Sequence, residues 1–215
     1  MQITTVNQNS THKIGLMADS HGRSQTLTRA LTFFRDNHCE TIYHLGDICD
    51  SVHPETADDC VSLLRENMVL GIKGNDDHQV VVNHDGRQPT HLAATTIEYL
   101  KDLPMTIELG NIVMTHSLPF IQERGLSCMV GVLGHSEAAL FFQTYPHKFL
   151  FRGHSHRPEI LRKQKHTFVS GKILPGETIQ LADKKPCIVT CGALDEGFLI
   201  IWEPGMQTIA CHMLT

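Results

Sequence analysis

The sequence lacks what would place its 215 residues in a membrane or along a nucleic acid. No apolar run reaches the ~20 residues of a membrane-spanning helix, so a membrane is not an expected partner. No long basic run occurs, and the formal net charge is −5, so a nucleic-acid backbone is not indicated either. The opening residues 1–12 are polar, without the apolar segment of a signal peptide, and are expected to form a flexible tail. Cysteine occurs seven times, an odd number with no Cys-x-x-Cys pair, which argues against a disulfide framework. These thiols read as reduced, mostly small core residues of a cytoplasmic protein. Charged residues make up 19% and hydrophobic residues 41%, a balance that excludes a disordered chain. Histidine is in excess, at 15 copies.

The remaining 13–215 read as one α/β domain with no internal repeat, low-complexity tract or linker. Ile14 to Met17 is an apolar strand. Ser24 can cap a helix whose Leu27, Ala30, Leu31 and Phe34 share one face. Thr41 to Leu45 forms a second strand, and Pro54 opens a second helix that buries Ala57, Cys60, Val61 and Leu64. Met68 to Ile72 forms a third strand. Alternation of strand and helix predicts parallel crossovers. A helix over Leu92 to Leu100 is closed by Pro104, and Met105–Leu109 with Asn111–Thr115 suits a hairpin about Gly110. Residues 117–134 read as an irregular loop, followed by a helix that Pro146 stops. Short strands then dominate: Phe149–Arg152, Glu159–Leu161, His166–Val169, Thr178–Leu181, Ile188–Thr190, Phe198–Trp202 and Gln207–His212. Two sheets packed face to face is the simplest architecture.

The polar residues just past these strands carry the chemistry. Asp19 and His21 follow the first strand, Asp47 the second and Asn75 the third. His116 follows the hairpin, and His154 and His156 follow Phe149–Arg152. Ligands of open α/β sheets bind beyond the carboxyl ends of strands. Singly, each group has an ordinary reading: Gly46-Asp47 and Gly74-Asn75 as turns, His116 as a satisfied strand-end histidine. Together, two carboxylates, one amide and four imidazoles exceed what one cation needs and suit two ions sharing a carboxylate. Such a pair, roughly 3.5–4 Å apart, can generate a hydroxide and clamp phosphoryl oxygens.

In order, Asp19-x-His21, Gly46-Asp47, Gly74-Asn75-Asp76-Asp77, Thr115-His116 and Gly153-His154-Ser155-His156 resemble the motifs of the calcineurin-like metallophosphoesterase superfamily, in particular its small single-domain prokaryotic phosphodiesterases. The resemblance spans residues 13–202. It implies a four-layer α/β/β/α sandwich of two mixed sheets flanked by helices. It also implies that Asp19, His21 and His156 hold one divalent ion, that Asn75, His116 and His154 hold the other, and that Asp47 bridges them. Manganese is the first choice of metal, with iron, zinc or magnesium as alternatives. The expected activity is hydrolysis of a small-molecule phosphate diester by a metal-bridging hydroxide. A phosphomonoesterase, or a non-catalytic interaction scaffold of the same fold, is the alternative.

One position departs from the pattern. Many members carry Gly-Asn-His, whose histidine helps to protonate the leaving oxygen, and here Asp76 stands in its place. Asp76 is therefore the candidate at the general-acid position, or else, with Asp77, part of a turn or helix cap. Arg23 is a candidate for gripping substrate phosphate. Arg152 ends its strand on the opposite face or beside the Gly153–His156 tip, and the loop 117–134 is placed to shape a pocket. Cys128 is not expected to be a nucleophile. His38, His44, His91 and His166 are expected to be structural or exposed.

Overall fold

The computed structural model describes residues 12–215 except 89, 166 and 183–185, so His166 and most of the N-terminal tail lie outside the described residues. The first strand, β1 (Lys13–Met17), leads into α1 (Ser24–Asp36). Then come β2 (Cys39–His44), α2 (Ala57–Glu66) and a two-residue β3 (Leu70–Gly71). The helices α3 (Asn75–His84) and α4 (Ala94–Asp102) precede the antiparallel hairpin of β4 (Thr106–Leu109) and β5 (Ile112–Thr115). A short α5 (Ile121–Arg124), a 3-10 turn over Gly125–Met129 and α6 (His135–Thr144) follow. The last strands are β6 (Phe149–Arg152), β7 (Glu159–Gln164), β8 (Thr167–Lys172), β9 (Thr178–Gln180), β10 (Cys187–Thr190), β11 (Phe198–Glu203) and β12 (Thr208–Met213).

These strands form two six-stranded mixed sheets, in the orders β3-β2-β1-β11-β12-β9 and β4-β5-β6-β10-β7-β8. Strands β1, β2 and β3 run parallel, as do β5, β6 and β10. Because side chains alternate across a strand, each sheet has two buried faces. Ile14, Leu16, Leu45, Ile200 and Trp202 of one sheet meet Ile112, Met114, Phe149, Phe151 and Val189 of the other. On the outer face of the first sheet, Met17, Leu199 and Ile201 pack against Leu27, Phe34, Leu64 and Leu100 of the helices. On that of the second, Val113, Leu150 and Ile188 pack against Ala138, Phe141 and Phe142 of α6. Each phenylalanine or leucine so enclosed contributes about 1.5–3 kcal/mol from apolar burial. The result is the α/β/β/α sandwich expected from the sequence.

Three segments differ from the sequence reading. Residues 75–84 form a full helix, α3, of which the sequence showed only the cap: Asp77 caps it through the Gly74 amide, and because the helix buries only Asp77 and Val80 it has no apolar stripe to read. The third strand shrinks to Leu70–Gly71, and the loop after His116 contains α5 and a 3-10 turn. The carboxyl ends of the parallel strands in both sheets reach one edge. There the amide of Asp19 donates to the Gly46 carbonyl (2.9 Å), that of Gly153 to His116 (3.0 Å) and that of Cys191 to Arg152 (2.8 Å). The sheets are tied across this edge as well, because the Leu194 amide donates to Ala18 (2.8 Å) and His116 Nδ1 to the Leu45 carbonyl (2.9 Å).

Candidate metal centre

All seven metal-ligand candidates from the sequence stand at this edge. His21 Nε2 and His156 Nε2 face each other at 3.2 Å, with Asp19 Oδ1 3.9 Å from His156 Nε2. Beside them, His116 Nε2 lies 3.2 Å from His154 Nδ1, 3.1 Å from Asn75 Oδ1 and 3.4 Å from Asp47 Oδ2. Among the described residues, four sets of three donors lie within 4.8 Å of one another, and two of them, Asp19–His21–His156 and Asp47–His116–His154, consist wholly of the candidate ligands; His156 also groups with Asp195 and Glu196. Asp47 also groups with His21 and Asp76 on the same criterion, so its carboxylate reaches toward both clusters.

The backbone that presents these groups is strained. Asp19, His21, Asp47, His154 and His156 all have positive φ, between 42° and 68°. Such left-handed conformations are uncommon for residues other than glycine and persist only where surrounding bonds enforce them. Here the His21 amide donates to the Asp47 carbonyl (3.1 Å), and the His154 amide donates to both carboxylate oxygens of Asp19 (3.1 and 2.9 Å). Two glycines leave room for these approaches. A Cβ on Gly74 would lie 2.1 Å from Asp47 Oδ1, and one on Gly153 would lie 2.7 Å from Asp19 Oδ2.

The electrostatics suit a cation. Asp19 is fully buried, and burial is the main reason its carboxyl is raised to about 6. Burial pushes Asp47 the same way, but the charge and hydrogen bond of His116 and the Asp76 amide outweigh it and hold Asp47 below the usual range. Burial opposes charge on His116, yet Asp47 beside it turns the net shift upward. Burial, then the neighbouring cations His116 and Arg152, lower His154 to about 4, which leaves its lone pair available. His116 gives its Nδ1 proton to Leu45, and His21 turns Nδ1 to Asp76 Oδ2 (3.4 Å), so both direct Nε2 inward. A ring whose outer nitrogen is held in this way is oriented as a metal ligand. The Asn75 amide is oriented too, with Nδ2 on Asp76 Oδ1 (3.0 Å) and Oδ1 toward His116. The donor set therefore fits two divalent ions, and its mixture of oxygen and nitrogen selects no one metal.

The other sequence candidates are placed differently. Asp76 binds the Ser51 hydroxyl (3.1 Å) as well as His21, and the His21 bond holds its carboxyl below the ordinary value. Arg23 is exposed and makes none of the hydrogen bonds or ion pairs of the centre. Cys128 is buried and its thiol is raised by burial, as expected of a core residue. His38 and His91 are exposed, while His44 is enclosed, donating from Nε2 to Ser20 Oγ (2.9 Å) and lowered by burial to about 3.

Of three supports of the centre, sequence reasoning offered Asp77 as a helix cap and missed what Ser20 and Arg152 hold. Asp77 is fully buried and accepts from the amides of Gly74 (2.9 Å) and Cys49 (3.0 Å), joining the two loops that carry Asp47 and Asn75. Its signal was the three-residue spacing from Gly74, that of a helix-capping residue. Ser20 donates to the Ile48 carbonyl (3.0 Å) and is held by His44, for which no local pattern exists. Arg152 is buried beneath the histidine loops, signalled only by a cation closing the apolar run Phe149–Phe151.

An α/β/β/α sandwich with clustered carboxylates and histidines at its strand ends defines a metallophosphoesterase fold. The profile of the calcineurin-like phosphoesterase superfamily domain matches residues 13–196, and the chain belongs to that superfamily. The structure is similar to that of a metallophosphoesterase from Sphaerobacter thermophilus, with a TM-score of 0.78, 21% identity, and coverage of 96% of this chain and 89% of that one. It is also similar to a hypothetical protein from Pyrococcus horikoshii (TM-score 0.66, 14% identity, 94% and 87% covered). A structure described as a novel archaeal phosphodiesterase matches with a TM-score of 0.50 at 15% identity, covering 94% of this chain and 99% of that one. These identities show a shared fold. No curated protein matches the chain. No helix among the described residues is long and apolar enough to cross a membrane.

Proposed function

We propose that the chain is a dinuclear metal-dependent phosphodiesterase acting on a small-molecule substrate, with manganese as the working metal. The observation that carries this reading is the position of Asp47, within reach of His21 on one side and of His116 and His154 on the other. Asp19, His21 and His156 hold one ion, Asn75, His116 and His154 the other, and Asp47 lies between them. When bound, the two ions supply Lewis acidity and an activated water. The chain's own residues fix the geometry: Leu45 and Asp76 hold the outer nitrogens of His116 and His21, and the His154 amide orients Asp19. Asp76 orients His21 in this scheme, so the proton for the leaving oxygen comes from another source.

A diester is favoured over a monoester because the motifs resemble the small phosphodiesterase branch and because Asp76 stands where many members carry histidine. The likeness to the archaeal phosphodiesterase points the same way. The convergence of seven donors on one edge also argues for catalysis over a scaffold role, since a scaffold has no need of them. The test is metal analysis of the purified chain together with hydrolysis of matched phosphomonoesters and phosphodiesters. Two manganese ions per chain and faster diester cleavage are expected. Faster monoester cleavage would replace the substrate class, and a chain that binds no metal and cleaves neither would leave the scaffold reading.

A further inference from the structure

Arg152 is 1% exposed, yet it makes no ion pair with a carboxylate among the described residues. Its guanidinium is satisfied by neutral oxygens instead. Nε donates to the Ser117 carbonyl (2.9 Å) and Nη2 to Ser117 Oγ (3.1 Å). Nη1 donates to Ser155 Oγ (2.8 Å) and Thr190 Oγ1 (3.3 Å). Ser117 follows His116 directly, Ser155 stands between His154 and His156, and Thr190 ends β10. Ser117 Oγ in turn donates to the Gly131 carbonyl, which extends the chain of bonds into the loop after His116.

We propose that Arg152 is a positioning residue whose planar fork locks the His116 loop to the His154–His156 loop and thereby sets the affinity of the centre for its metals. This rests on the metal-dependent reading above. A cation buried without an anionic partner is costly, and replacement of buried ionic groups by apolar ones of similar volume is often neutral or stabilising for folding. Stability of the sandwich therefore does not account for an arginine here. Its donors are fixed in one plane and can hold two loops at once, which a lysine ammonium on a flexible stem cannot do in the same geometry. Outer partners that orient metal ligands typically change metal affinity by about 10–100-fold when removed.

The experiment titrates the metal-free full-length chain with manganese by calorimetry, alongside melting temperatures. Wild type, Arg152→Met, Arg152→Lys and Ser155→Ala are compared. Arg152→Met should fold and bind manganese about 10–100-fold more weakly, the loss expected of an orienting partner. Arg152→Lys should recover only part of that loss. Ser155→Ala should weaken binding on its own and add nothing when combined with Arg152→Met, as coupled positions do. Wild-type affinity in a folded Arg152→Met overturns the inference while leaving the metal-dependent reading intact. If that variant does not fold, Ser155→Ala decides the matter, and wild-type affinity there overturns it equally. A wild-type chain that takes up no manganese overturns the metal reading and this inference with it.

Discussion

Asp47 Oδ1 accepts the backbone amide of Asp76 at 2.9 Å, which places the carboxylate at the N-terminus of α3. The first amides of a helix lack internal partners and carry partial positive charge, so an anion there is stabilised. This bond engages Oδ1, while Oδ2 faces His116 at 3.4 Å. The helix thus fixes the carboxylate that reaches toward both clusters, and Asp77, the next residue of α3, anchors the same turn through Gly74 and Cys49.

The first prediction concerns that carboxylate. Asp47→Asn keeps the shape but removes the charge that allows two cations to sit close together. The variant should stay folded, bind one ion or none, and lose most of its hydrolysis. Asp59→Asn, on the exposed side of α2, is the matched control and should keep both metals. His44, which ends β2 three residues before Asp47, would serve less well, because it is enclosed and holds Ser20 between Asp19 and His21. Metal content and diesterase rate of the two variants check this, and near-normal activity in Asp47→Asn would remove the bridge.

A second prediction tests the close approach of two loops. Gly74→Ala puts a methyl group 2.1 Å from Asp47 Oδ1 and 2.2 Å from its amide nitrogen, too close for either to stay. Overpacking of this kind costs roughly 1–3 kcal/mol. Chemical denaturation should show that loss together with weaker manganese binding. Gly176→Ala, with nothing within 4 Å of the added methyl, should leave metal binding unchanged and lose stability only through its positive φ.

Most of the layered fold was legible in the sequence, because strand alternation and helix stripes report burial directly. Ile14 and Leu16 face one core while Met17 faces the other, as the period of two requires. The candidate ligands were legible for a different reason, their position just past apolar strands. What the sequence hid depends on distant atoms. The left-handed backbone at Asp19 and His21 is enforced by bonds to Gly46 and Asp47, some 26 residues away, where no local pattern can show it. The helix α3 was hidden because Val80, Val81 and Val82 favour strands locally, and only tertiary contacts with buried Val80 and Asp77 settle the segment. Arg152 looked like a strand-end cation, and its hold on Ser117 and Ser155 exists only once three loops meet.

Several groups are raised in the metal-free protein, His21 and Asp19 among them, with Asp77 and His116 shifted the same way. His21 is lifted from an ordinary 6.5 to about 9, chiefly by its bond to Asp76. A raised histidine contributes stability that is complete below 6.5 and lost as pH rises through about 9. Asp19, lifted by burial from 3.8 to about 6, is favoured by folding in its protonated form, so its contribution also fades as pH rises through about 6. Asp47, held low, works in the opposite direction but only in acid. The metal-free chain should therefore melt at a lower temperature at pH 9.5 than at pH 6.5, roughly three units apart on the linkage curve. Asp76→Asn should bring the His21 titration down toward its ordinary value, read by NMR on the metal-free chain. A His21 that titrates unchanged in this variant would show that Asp76 is not its partner.

The last prediction separates two roles for Asp76. Its carboxyl is held below the ordinary carboxylate range by His21, with Ser51 as a further donor, so near neutral pH it has no proton to give. An orienting carboxylate acts on every substrate alike, through the position of His21. A general acid acts selectively, because assistance worth about 10²–10⁴ in rate matters most where the leaving oxygen is a poor one. Activated aryl phosphodiesters should accordingly be cleaved much faster than alkyl ones by the unaltered chain. Asp76→Asn should slow both by a similar factor, leaving the dependence on leaving-group pKa as steep as before and weakening manganese binding on the His21 side. The measurement is the diesterase rate across a series of leaving groups at saturating manganese, for both proteins. A variant that loses only its poor leaving groups would assign the proton to Asp76 after all, and the ion pair with His21 would then be a feature of the metal-free state.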